Sequence, residues 1–418
     1  MYGKGNVPLA WAPDRVPDII SYQAEPHPDA SSCIERALAQ PIGTPPLRQL
    51  ARGRSNAVIL ISDISRLCPT YLFLIRLLDE LNEAGIGDDR IHVIVALGLH
   101  RKQTEDELRQ LAGDAAYRRV RVMNHSAMSE DCVFLGTTSL GTPVEINRIV
   151  AEADLRIATG NIEPHALVGI SGGVKALVPG AASHRCIECN HSLSQRYTAR
   201  PGDPGNPVHR DLEEAQQLAP IHFLFNVIVD HERRIIDAFA GDVAEAHRIG
   251  AERAAALFVV PVHRKYDVTV VSAGGHPKDT QLYQAIKSLK NAASITRHGG
   301  DILLVAECEE MFGNGIFQFW METMQDRAEM VDKLKRQFVL GAHKILHIDE
   351  VLQKHRVHIH SRIPEPIVRL IGFEPARNLQ AAYDRLTADR SRSVALMPCG
   401  ALTFPQMQST ITSHKAGV

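Results

Sequence analysis

The chain alternates short apolar runs with stretches whose apolar residues recur every three or four positions. Continuous aliphatic runs predict buried strands at residues 56–62 and 91–97. Between them, a helix predicted at residues 70–84 has one apolar side, formed by Leu74, Leu77, Leu78 and Leu81. Such alternation is typical of βαβ units around a mostly parallel sheet.

The same alternation continues as far as residue 257. Thr104 and Glu107 form a capping-box pattern, which starts a helix that ends near Gly113. Four more strands, the last two forming a hairpin, and an Ala-rich helix are predicted at residues 120–123, 155–158, 222–229, 234–239 and 243–257.

A second series of elements begins at residue 266. Strands are predicted at residues 266–272, 302–306, 344–348 and 393–397. We therefore expect two Rossmann-like α/β domains with mostly parallel sheets, at residues 1–262 and 263–399. The tail at residues 400–418 is expected to pack back on the first domain.

One helix of the second domain carries polar residues that could serve a ligand. At about 100° per residue, Tyr283, Gln284 and Lys287 lie opposite the apolar stripe and should face away from the core. A solvated helix face is the simpler interpretation of this trio. The apolar stripe itself consists of Leu282, Ala285, Ile286 and Leu289.

The charge balance limits the kinds of partner that the chain can have. Lysine and arginine number 46 against 48 acidic residues, a formal net charge of -2. This lacks the positive field that favours nucleic acids or anionic membranes, so a small-molecule ligand is expected. The N-terminal residues lack the apolar core of a signal peptide, and no stretch reaches the roughly 18 apolar residues of a membrane span. We expect a cytoplasmic protein.

The cysteines do not suggest a disulfide framework. Seven cysteines are irregularly spaced, which is typical of a reducing compartment. His184, Cys186, Cys189 and His191 have the spacing of half a zinc site, but no second Cys-x-x-Cys completes it. Buried thiols are therefore the favoured interpretation, and metal storage through these four side chains is kept as an alternative function.

A glycine-rich stretch at residues 169–180 surrounds Lys175 and resembles a phosphate-binding loop. A P-loop needs glycine immediately before its lysine and a hydroxyl residue immediately after it, to reach magnesium. Val174 and Ala176 stand at those positions. Gly172 and Gly173 still permit close backbone approach to a phosphate, but hydrolysis of a magnesium nucleotide is not expected.

Polar residues follow several predicted strands at the point where each strand ends. Asp63 and Arg66 follow the first strand, His100 the second, and His165 the strand at residues 155–158. Ligands of open α/β sheets bind beyond the carboxyl ends of the strands, so these side chains are candidates for one site. Taken singly, each could be a helix cap, a surface ion pair or a loop histidine.

The ordered motifs resemble those of the nickel-pincer lactate racemases and their racemase and epimerase relatives. The resemblance is spread over most of the chain and depends on the order of the set. The motifs are Ser62-Asp63-Ile64-Ser65-Arg66, Gly98-Leu99-His100-Arg101, Glu163-Pro164-His165, residues 169–175 with Pro179-Gly180, Asn190-His191, Gly205-Asn206-Pro207 with His209, Ala240-Gly241-Asp242, and Gly274-Gly275-His276-Pro277 with residues 282–287.

The resemblance implies an active site in a cleft between two α/β domains and an unusual cofactor. This cofactor is a nickel-pincer nucleotide, the nickel complex of a pyridinium-3,5-bisthiocarboxylic acid mononucleotide. In the family, the lysine matching Lys175 attaches it as a thioamide and the histidine matching His191 is a nickel ligand. Partners implied are the maturation proteins that make the cofactor and a 2-hydroxy acid substrate.

The resemblance also implies roles for the other candidates. His100 and His165 would be the two acid/base residues, and histidine suits that task because its pKa lies near working pH. Arg66 and Lys287 would hold the substrate carboxylate. Cofactor and substrate would be positioned by Asp63, Tyr283, Gln284, Gly172 and Gly173.

The chain departs from the lactate-specific pattern near these motifs. Lactate-active members usually have aromatic residues just after the histidine that matches His165, but this chain has Ala166-Leu167-Val168 there. His276 stands where these members commonly have tyrosine, and Leu67 stands where they often have proline. We therefore expect a substrate bulkier or more polar than lactate, such as a sugar acid. A 2-hydroxyacid dehydrogenase is the alternative enzyme, but no Gly-x-Gly-x-x-Gly nicotinamide fingerprint supports it.

Overall fold

The computed structural model describes residues 1–408 apart from Ala24, His27, Ala166, Leu167 and Gln325. The chain forms two compact units. The N-terminal unit ends at Leu257, and the C-terminal unit combines Met1–Gln23 with the chain from Phe258 onward. Within the described residues, no helix is both long enough and apolar enough to cross a membrane.

The N-terminal unit is built on a six-stranded sheet. Only the edge strand Ile235–Gly241 is antiparallel to its neighbour. Across the sheet, the strands are Ile235–Gly241, Phe223–Val229, Leu155–Asn161, Ala57–Ile61, Ile91–Val95 and Arg121–Asn124. When the strands are numbered along the chain, their spatial order is that of a doubly wound sheet, and it reverses between Ala57–Ile61 and Leu155–Asn161. In such sheets, ligands bind beyond the carboxyl ends of the strands at this reversal.

Helices flank this sheet, and two short antiparallel ladders form separate two-stranded sheets in the same unit. Every residue of Ala57–Ile61 is buried, as expected of a parallel strand covered on both faces, and this explains its unbroken aliphatic sequence. The ladders pair Cys132–Thr137 with Pro143–Asn147 and Pro164–His165 with Gly169–Ile170. The helices are Ala30–Ala39, Leu47–Leu50, Leu74–Glu83, Glu105–Ala112, Asp114–Tyr117, Arg148–Glu152, His184–Ser192, Pro207–Leu218 and Val243–Phe258.

The C-terminal unit contains a second six-stranded sheet, which is parallel throughout. Its strands, in spatial order, are Asp18–Ile19, Val394–Met397, Tyr266–Ser272, Thr296–Val305, Arg356–His360 and Glu374–Pro375. A separate parallel pair joins Val259–Val262 to Phe404–Met407. The helices are Leu282–Ile295, Gly315–Thr323, Arg327–Arg336, Lys344–Leu352, Glu365–Ile371 and Leu379–Leu386.

The structure confirms the α/β class with mostly parallel sheets but divides the chain differently from the expected residues 1–262 and 263–399. The first 23 residues belong to the C-terminal unit, because Asp18 and Ile19 pair with Ala395 and Leu396. The tail strand Phe404–Met407 lies in that unit too, against Val259–Val262. Residues 409–418 of the tail lie outside the described residues.

One predicted strand is wrong. Residues 344–348 begin the helix Lys344–Leu352 instead. Ile345, Ile348 and Val351 are buried along it, which is helical spacing that continues beyond the five residues on which the strand was predicted. A short apolar run does not distinguish a buried strand from one turn of a buried helix.

Candidate functional site

The turn after strand Ala57–Ile61 is organised around Asp63. Its side chain is 3% exposed. Its Oδ1 accepts hydrogen bonds from the backbone amide of Ser65 at 2.8 Å and from the Ser65 hydroxyl at 2.5 Å. The amide of Arg66 donates to the Asp63 carbonyl at 3.0 Å. This turn therefore fixes the carboxylate and leaves its other oxygen for side chains from elsewhere.

That second oxygen of Asp63 lies close to the side chains of two other predicted site residues, His100 and Arg66. His100 Nδ1 lies 3.1 Å from Asp63 Oδ2, and Arg66 Nε lies 3.4 Å from the same atom. Burial alone would raise the pKa of Asp63, but His100 and then Arg66 outweigh it and hold this pKa well below its usual range. The structure thus brings together three of the residues expected at the carboxyl ends of neighbouring strands.

The Asp63 contact determines what His100 can do. An ionised carboxylate only accepts hydrogen bonds, so Nδ1 of His100 carries hydrogen and donates to Asp63. In the neutral ring, Nε2 then holds the lone pair. His100 is 31% exposed, so this nitrogen belongs to a side chain that a small molecule can reach. The pair is suited to accept a proton at Nε2.

Lys175 lies on a short 3₁₀ turn, Gly173–Ala176, which two glycines make possible. Gly172 and Gly173 have φ values of 78° and 56°, which side-chain-bearing residues rarely adopt. A Cβ on Gly172 would lie 2.6 Å from Asn226 Oδ1, and one on Gly173 would lie 2.7 Å from the His247 ring. The loop is therefore packed against buried side chains.

The amide of Gly173 has a protein partner. It donates to Asn226 Oδ1 at 2.8 Å, and Asn226 is fully buried. The suggestion that this amide meets a phosphate is therefore not supported, because its hydrogen is already engaged. Gly172 remains a predicted cofactor-binding residue. In the structure, tight packing against Asn226 and His247 is sufficient to explain why both positions are glycine.

The ammonium group of Lys175 is destabilised. Burial lowers its pKa first, the nearby Arg66 lowers it further, and Glu163 opposes them, which leaves the pKa at about 7. A substantial fraction of Lys175 is then a neutral amine near pH 7, the form that is nucleophilic. Since Arg66 acts on both Asp63 and Lys175, these predicted site residues are neighbours within the N-terminal unit.

His165 is held in a small ladder beyond strand Leu155–Asn161. Its strand Pro164–His165 pairs with Gly169–Ile170. Before it, Glu163 is buried, and its Oε2 accepts from Asn161 Nδ2 at 3.2 Å. His165 thus follows the strand that neighbours Ala57–Ile61, at the reversal of strand order. The predicted departures Ala166 and Leu167 lie outside the described residues.

A stacked pair of histidines close to Lys175 was not predicted. The rings of His209 and His247 lie 5.5 Å apart and within 8° of parallel. His247 Nε2 is 2.8 Å from the carbonyl oxygen of Ser171. Burial, then His247 and Lys175, lowers the pKa of His209 to about 3. The only sequence signal was His209 in the Gly205-Asn206-Pro207 motif, to which no role was attached.

The four side chains of the half zinc site are separated by helix geometry. They belong to one helix, His184–Ser192, where about 100° per residue puts His184 and His191 on one side and both cysteines on the other. Cys186 is buried, and Cys189 contacts the Gly141 carbonyl at 3.5 Å. Over the described residues, no three His, Cys, Asp or Glu side chains group as a metal site.

A buried network fixes the turn that carries His191. Asn190 Nδ2 donates to Asp211 Oδ2 at 2.8 Å. The same carboxylate accepts hydrogen bonds from the hydroxyls of Thr138 and Thr142, at 2.5 and 2.7 Å. These contacts tie helix His184–Ser192 to helix Pro207–Leu218, so His191 has a defined position although it is not part of a protein-only metal site.

In the C-terminal unit, the predicted polar trio lies on helix Leu282–Ile295. The prediction that all three face away from the core is wrong for Gln284, which is 5% exposed. Tyr283 and Lys287 are half-buried. The helix is covered on more than one side, because Ser288 and Asn291 are buried as well as its apolar stripe. Periodicity missed this since it assumed one solvated face.

The sequence matches known families over most of its length. A profile described as the lactate racemase N-terminal domain matches residues 2–201, and one described as the lactate racemase C-terminal domain matches residues 262–401. A lactate racemase of Thermoanaerobacterium thermosaccharolyticum is 33% identical over 340 residues, covering 80% of this chain and 79% of the relative. A lactate racemase of Lactiplantibacillus plantarum is 35% identical over 304 residues, covering 72% and 71%.

Solved structures resemble the chain as well. The lactate racemase apoprotein from Thermoanaerobacterium thermosaccharolyticum superposes with a TM-score of 0.87 at 29% identity, covering 97% of this chain and 98% of that one. A protein from Thermotoga maritima superposes with a TM-score of 0.69 at 20% identity, covering 87% and 96%. The second likeness concerns the fold alone.

Proposed function

Because the chain belongs to the lactate racemase family, we propose that it is a racemase or epimerase of 2-hydroxy acids. The α C–H bond of such an acid is too weakly acidic for a side chain to remove its proton near neutral pH. Removing the hydrogen with its electron pair is easier if a base takes the hydroxyl proton in the same step. A planar 2-keto acid results, and returning the hydrogen to either face gives both stereoisomers.

The observation that carries this proposal is the contact between His100 Nδ1 and the buried Asp63 Oδ2, at 3.1 Å. It leaves Nε2 as the atom that takes the hydroxyl proton from one stereoisomer. We assign the same task for the other stereoisomer to His165. In an inverting turnover, His100 takes the hydroxyl proton of one stereoisomer and a protonated His165 gives a proton to the hydroxyl oxygen of the other. The two histidines then regain their starting states by proton exchange with water or in a turnover of the opposite direction.

The substrate carboxylate needs cationic partners. We propose Arg66 for this role, because its guanidinium can grip a carboxylate with two hydrogen bonds, and its Nε contact with Asp63 orients it. Lys287 is proposed as a second cation for the carboxylate. Tyr283 and Gln284 are proposed to position the cofactor by hydrogen bonds.

The donor set of the N-terminal unit fits a nickel-pincer nucleotide. Covalent attachment needs a neutral amine, and Lys175 has a pKa of about 7. A single imidazole, His191, stands on a fixed helical turn, which suits a metal that the cofactor itself chelates rather than a site built by several side chains. When bound, this cofactor would supply the electrophile that accepts and returns the α hydrogen with its electron pair.

We propose a substrate that is bulkier or more polar than lactate. Support comes from His276, which stands where family members commonly have tyrosine. It also comes from the buried Leu67, which stands where they often have proline. Comparing turnover of lactate with that of longer, hydroxylated acids tests this point. A clear preference for lactate would count against the larger substrate while leaving the reaction type untouched.

The central experiment uses protein produced together with the cofactor maturation proteins. We expect a mass increment on the peptide that contains Lys175, together with nickel, and interconversion of the two enantiomers of a 2-hydroxy acid. His100→Ala should abolish interconversion and retain both the mass increment and the nickel. Nickel without racemisation in the wild-type protein would favour metal storage, and net accumulation of the 2-keto acid would favour a dehydrogenase.

A further inference from the structure

A second buried lysine lies in the C-terminal unit, at the start of helix Lys344–Leu352. Lys344 is 3% exposed. Its ammonium nitrogen lies 4.7 Å from the centroid of the Tyr283 ring, so the cation and the aromatic face are in contact. This lysine has no part in the reaction proposed above, whereas Tyr283 does.

One histidine contacts the same aromatic ring, and a second histidine contacts the first. His343 stands edge-on to Tyr283, with ring centroids 6.1 Å apart at 90°, and His347 stands edge-on to His343 at 5.6 Å and 86°. Lys344 lies between these two histidines in the sequence, at the beginning of their shared helix. Lys344 and His343 therefore contact Tyr283, and His347 contacts His343. We call His343, Lys344 and His347 the basic cluster.

Lys344 is the member of this cluster whose charge is not balanced by a carboxylate in the part of the chain that the structure describes. Among the described residues, no carboxylate forms an ion pair with Lys344. The helix Leu282–Ile295 packs against the cluster and contributes another cation, Lys290, which is paired with Glu350 at 3.3 Å. The helix Arg327–Arg336 also packs there, and its Arg327 is paired with Asp349 at 3.1 Å.

The electrostatic consequence is a lysine that does not easily hold its charge. Burial lowers the pKa of Lys344 first and Lys290 lowers it further, to about 7. Burial and then the neighbouring Lys344, Lys290 and His343 hold the pKa of His347 well below its usual range. Lysine is almost never fully buried unless it is paired, and methionine would cover the Tyr283 ring without any charge to desolvate.

We propose that the basic cluster is an anion subsite, which takes a carboxylate or phosphate group of a small ligand held beside Tyr283. An anion would supply the missing counter-charge and let Lys344 bind a proton. The ligand class follows from the proposed function, on which this part rests. It is a 2-hydroxy acid with a second anionic group, because Lys287 lies one helical turn from Tyr283 and is assigned the first carboxylate. A phosphate of the nucleotide cofactor is the other source of the same chemistry.

Binding at this subsite should depend on pH in a defined direction. With a pKa of about 7 for Lys344 in the ligand-free protein, most of the amine is charged at pH 6 and neutral at pH 8. Anion binding must then be accompanied by proton uptake at pH 8, so affinity should fall about tenfold between pH 6 and pH 8. A neutral core lysine without a ligand would give no such dependence.

The test measures binding to the cofactor-free full-length protein by calorimetry. The probes are malate as a diacid, lactate as a monoacid, and inorganic phosphate, each at pH 6 and pH 8. We expect malate to bind with the tenfold pH dependence, and phosphate to bind without it, because phosphate itself loses a proton between pH 6 and pH 8. Lys344→Met should weaken that binding at least tenfold at pH 6, Lys344→Arg should preserve it without the fall at pH 8, and the exposed Lys335→Met should match wild type.

The choice of probes distinguishes the two possible sources of the anion. Malate alone binding through Lys344 identifies a second substrate carboxylate, and phosphate alone identifies the nucleotide phosphate. If neither probe binds, or if Lys344→Met binds as wild type does while circular dichroism shows a native fold, the subsite does not exist. Racemisation of 2-hydroxy acids by the matured enzyme is measured separately. Its absence would overturn the proposed function without altering the Lys344-dependent binding of anions.

Discussion

The imidazole Nδ1 of His100 lies 3.1 Å from Oδ2 of Asp63, a carboxylate of which 3% is exposed. The two residues follow adjacent parallel strands, Ala57–Ile61 and Ile91–Val95. Their contact fixes both the orientation of the imidazole and the nitrogen that carries hydrogen. The pair therefore presents Nε2 of His100 as a proton acceptor without needing a change in the fold.

Replacing this carboxylate by an amide should impair catalysis far more than stability. In Asp63→Asn the side chain can donate to Nδ1, which moves the hydrogen to Nε2 and removes the base from the reacting side. We expect kcat/KM of the matured enzyme to fall on the order of 10²- to 10⁴-fold. Asp14→Asn is the control, because Asp14 belongs to an exposed ion pair with Arg390. Near-normal racemisation by Asp63→Asn would contradict the assignment of Nε2.

The sequence predicts those site residues that follow the ends of strands, but it does not predict those that reach the site only through contacts between distant parts of the chain. Asp63, Arg66 and His100 could be found because strand ends in a parallel sheet share one edge, and that rule needs only the strand positions. Asn226 and His247 could not. They face the lysine loop from the middle of one strand and from a helix, and nothing local in the sequence shows that Gly172 and Gly173 pack on them.

The same distinction explains the errors in the C-terminal unit. Gln284 is buried because the helix Leu282–Ile295 has neighbours on its polar side as well, whereas periodicity describes only the stripe facing the sheet. Residues 344–348 look like a strand because one short apolar run fits either period. Met1–Gln23 is held by a two-residue strand, Asp18–Ile19, and by isolated hydrogen bonds such as that from the Gly3 amide to Asp279, and neither leaves a pattern in the sequence.

The packing of Gly173 against His247 predicts a specific loss of stability. Gly173→Ala introduces a Cβ that would lie 2.7 Å from the imidazole, at a φ of 56°. We expect the free energy of unfolding to fall by about 1–3 kcal/mol from this clash, beyond about 1 kcal/mol for the backbone. Urea denaturation measures both contributions.

Gly53→Ala separates the two contributions. Gly53 also has a positive φ, 76°, but a Cβ there would meet nothing within 4 Å. It should therefore show only the backbone cost. Equal destabilisation of the two variants would mean that the loop yields freely and that His247 does not constrain the position of Lys175.

The depressed pKa of Lys175 predicts how stability changes with pH. The unfolded lysine has a pKa near 10.5, and the folded one a pKa of about 7. Between these values the unfolded state binds more protons, so this group makes the wild-type protein more stable as the pH rises. Cofactor-free Lys175→Met should be more stable than wild type by about 2–4 kcal/mol at pH 7, after allowance for partial exposure.

That advantage of Lys175→Met should shrink steadily towards pH 10. Changes in packing caused by methionine do not depend on pH. The quantity to compare is therefore how the difference in unfolding free energy between Lys175→Met and wild type changes with pH, and not the size of that difference at one pH. Urea unfolding at pH 7, 8.5 and 10 gives the slope. Lys335→Met, at an exposed position, should give none, and a constant difference for Lys175→Met would show that the amine keeps its ordinary affinity for protons.

The stacked histidines predict a weakness towards acid. His209 is fully buried, with a pKa lowered from 6.5 to about 3. Between these values the unfolded state again binds more protons, so wild-type stability is lost as the pH falls below about 6.5.

His209→Phe preserves a ring that can stack on His247 and cannot take up a proton. It should match wild type to within about 1 kcal/mol at pH 7.5 and exceed it by about 2 kcal/mol at pH 4.5. His263→Phe, at an exposed site, should show no pH-dependent gain. A His209→Phe difference that is the same at both pH values would mean that His209 keeps its ordinary affinity for protons in the folded protein.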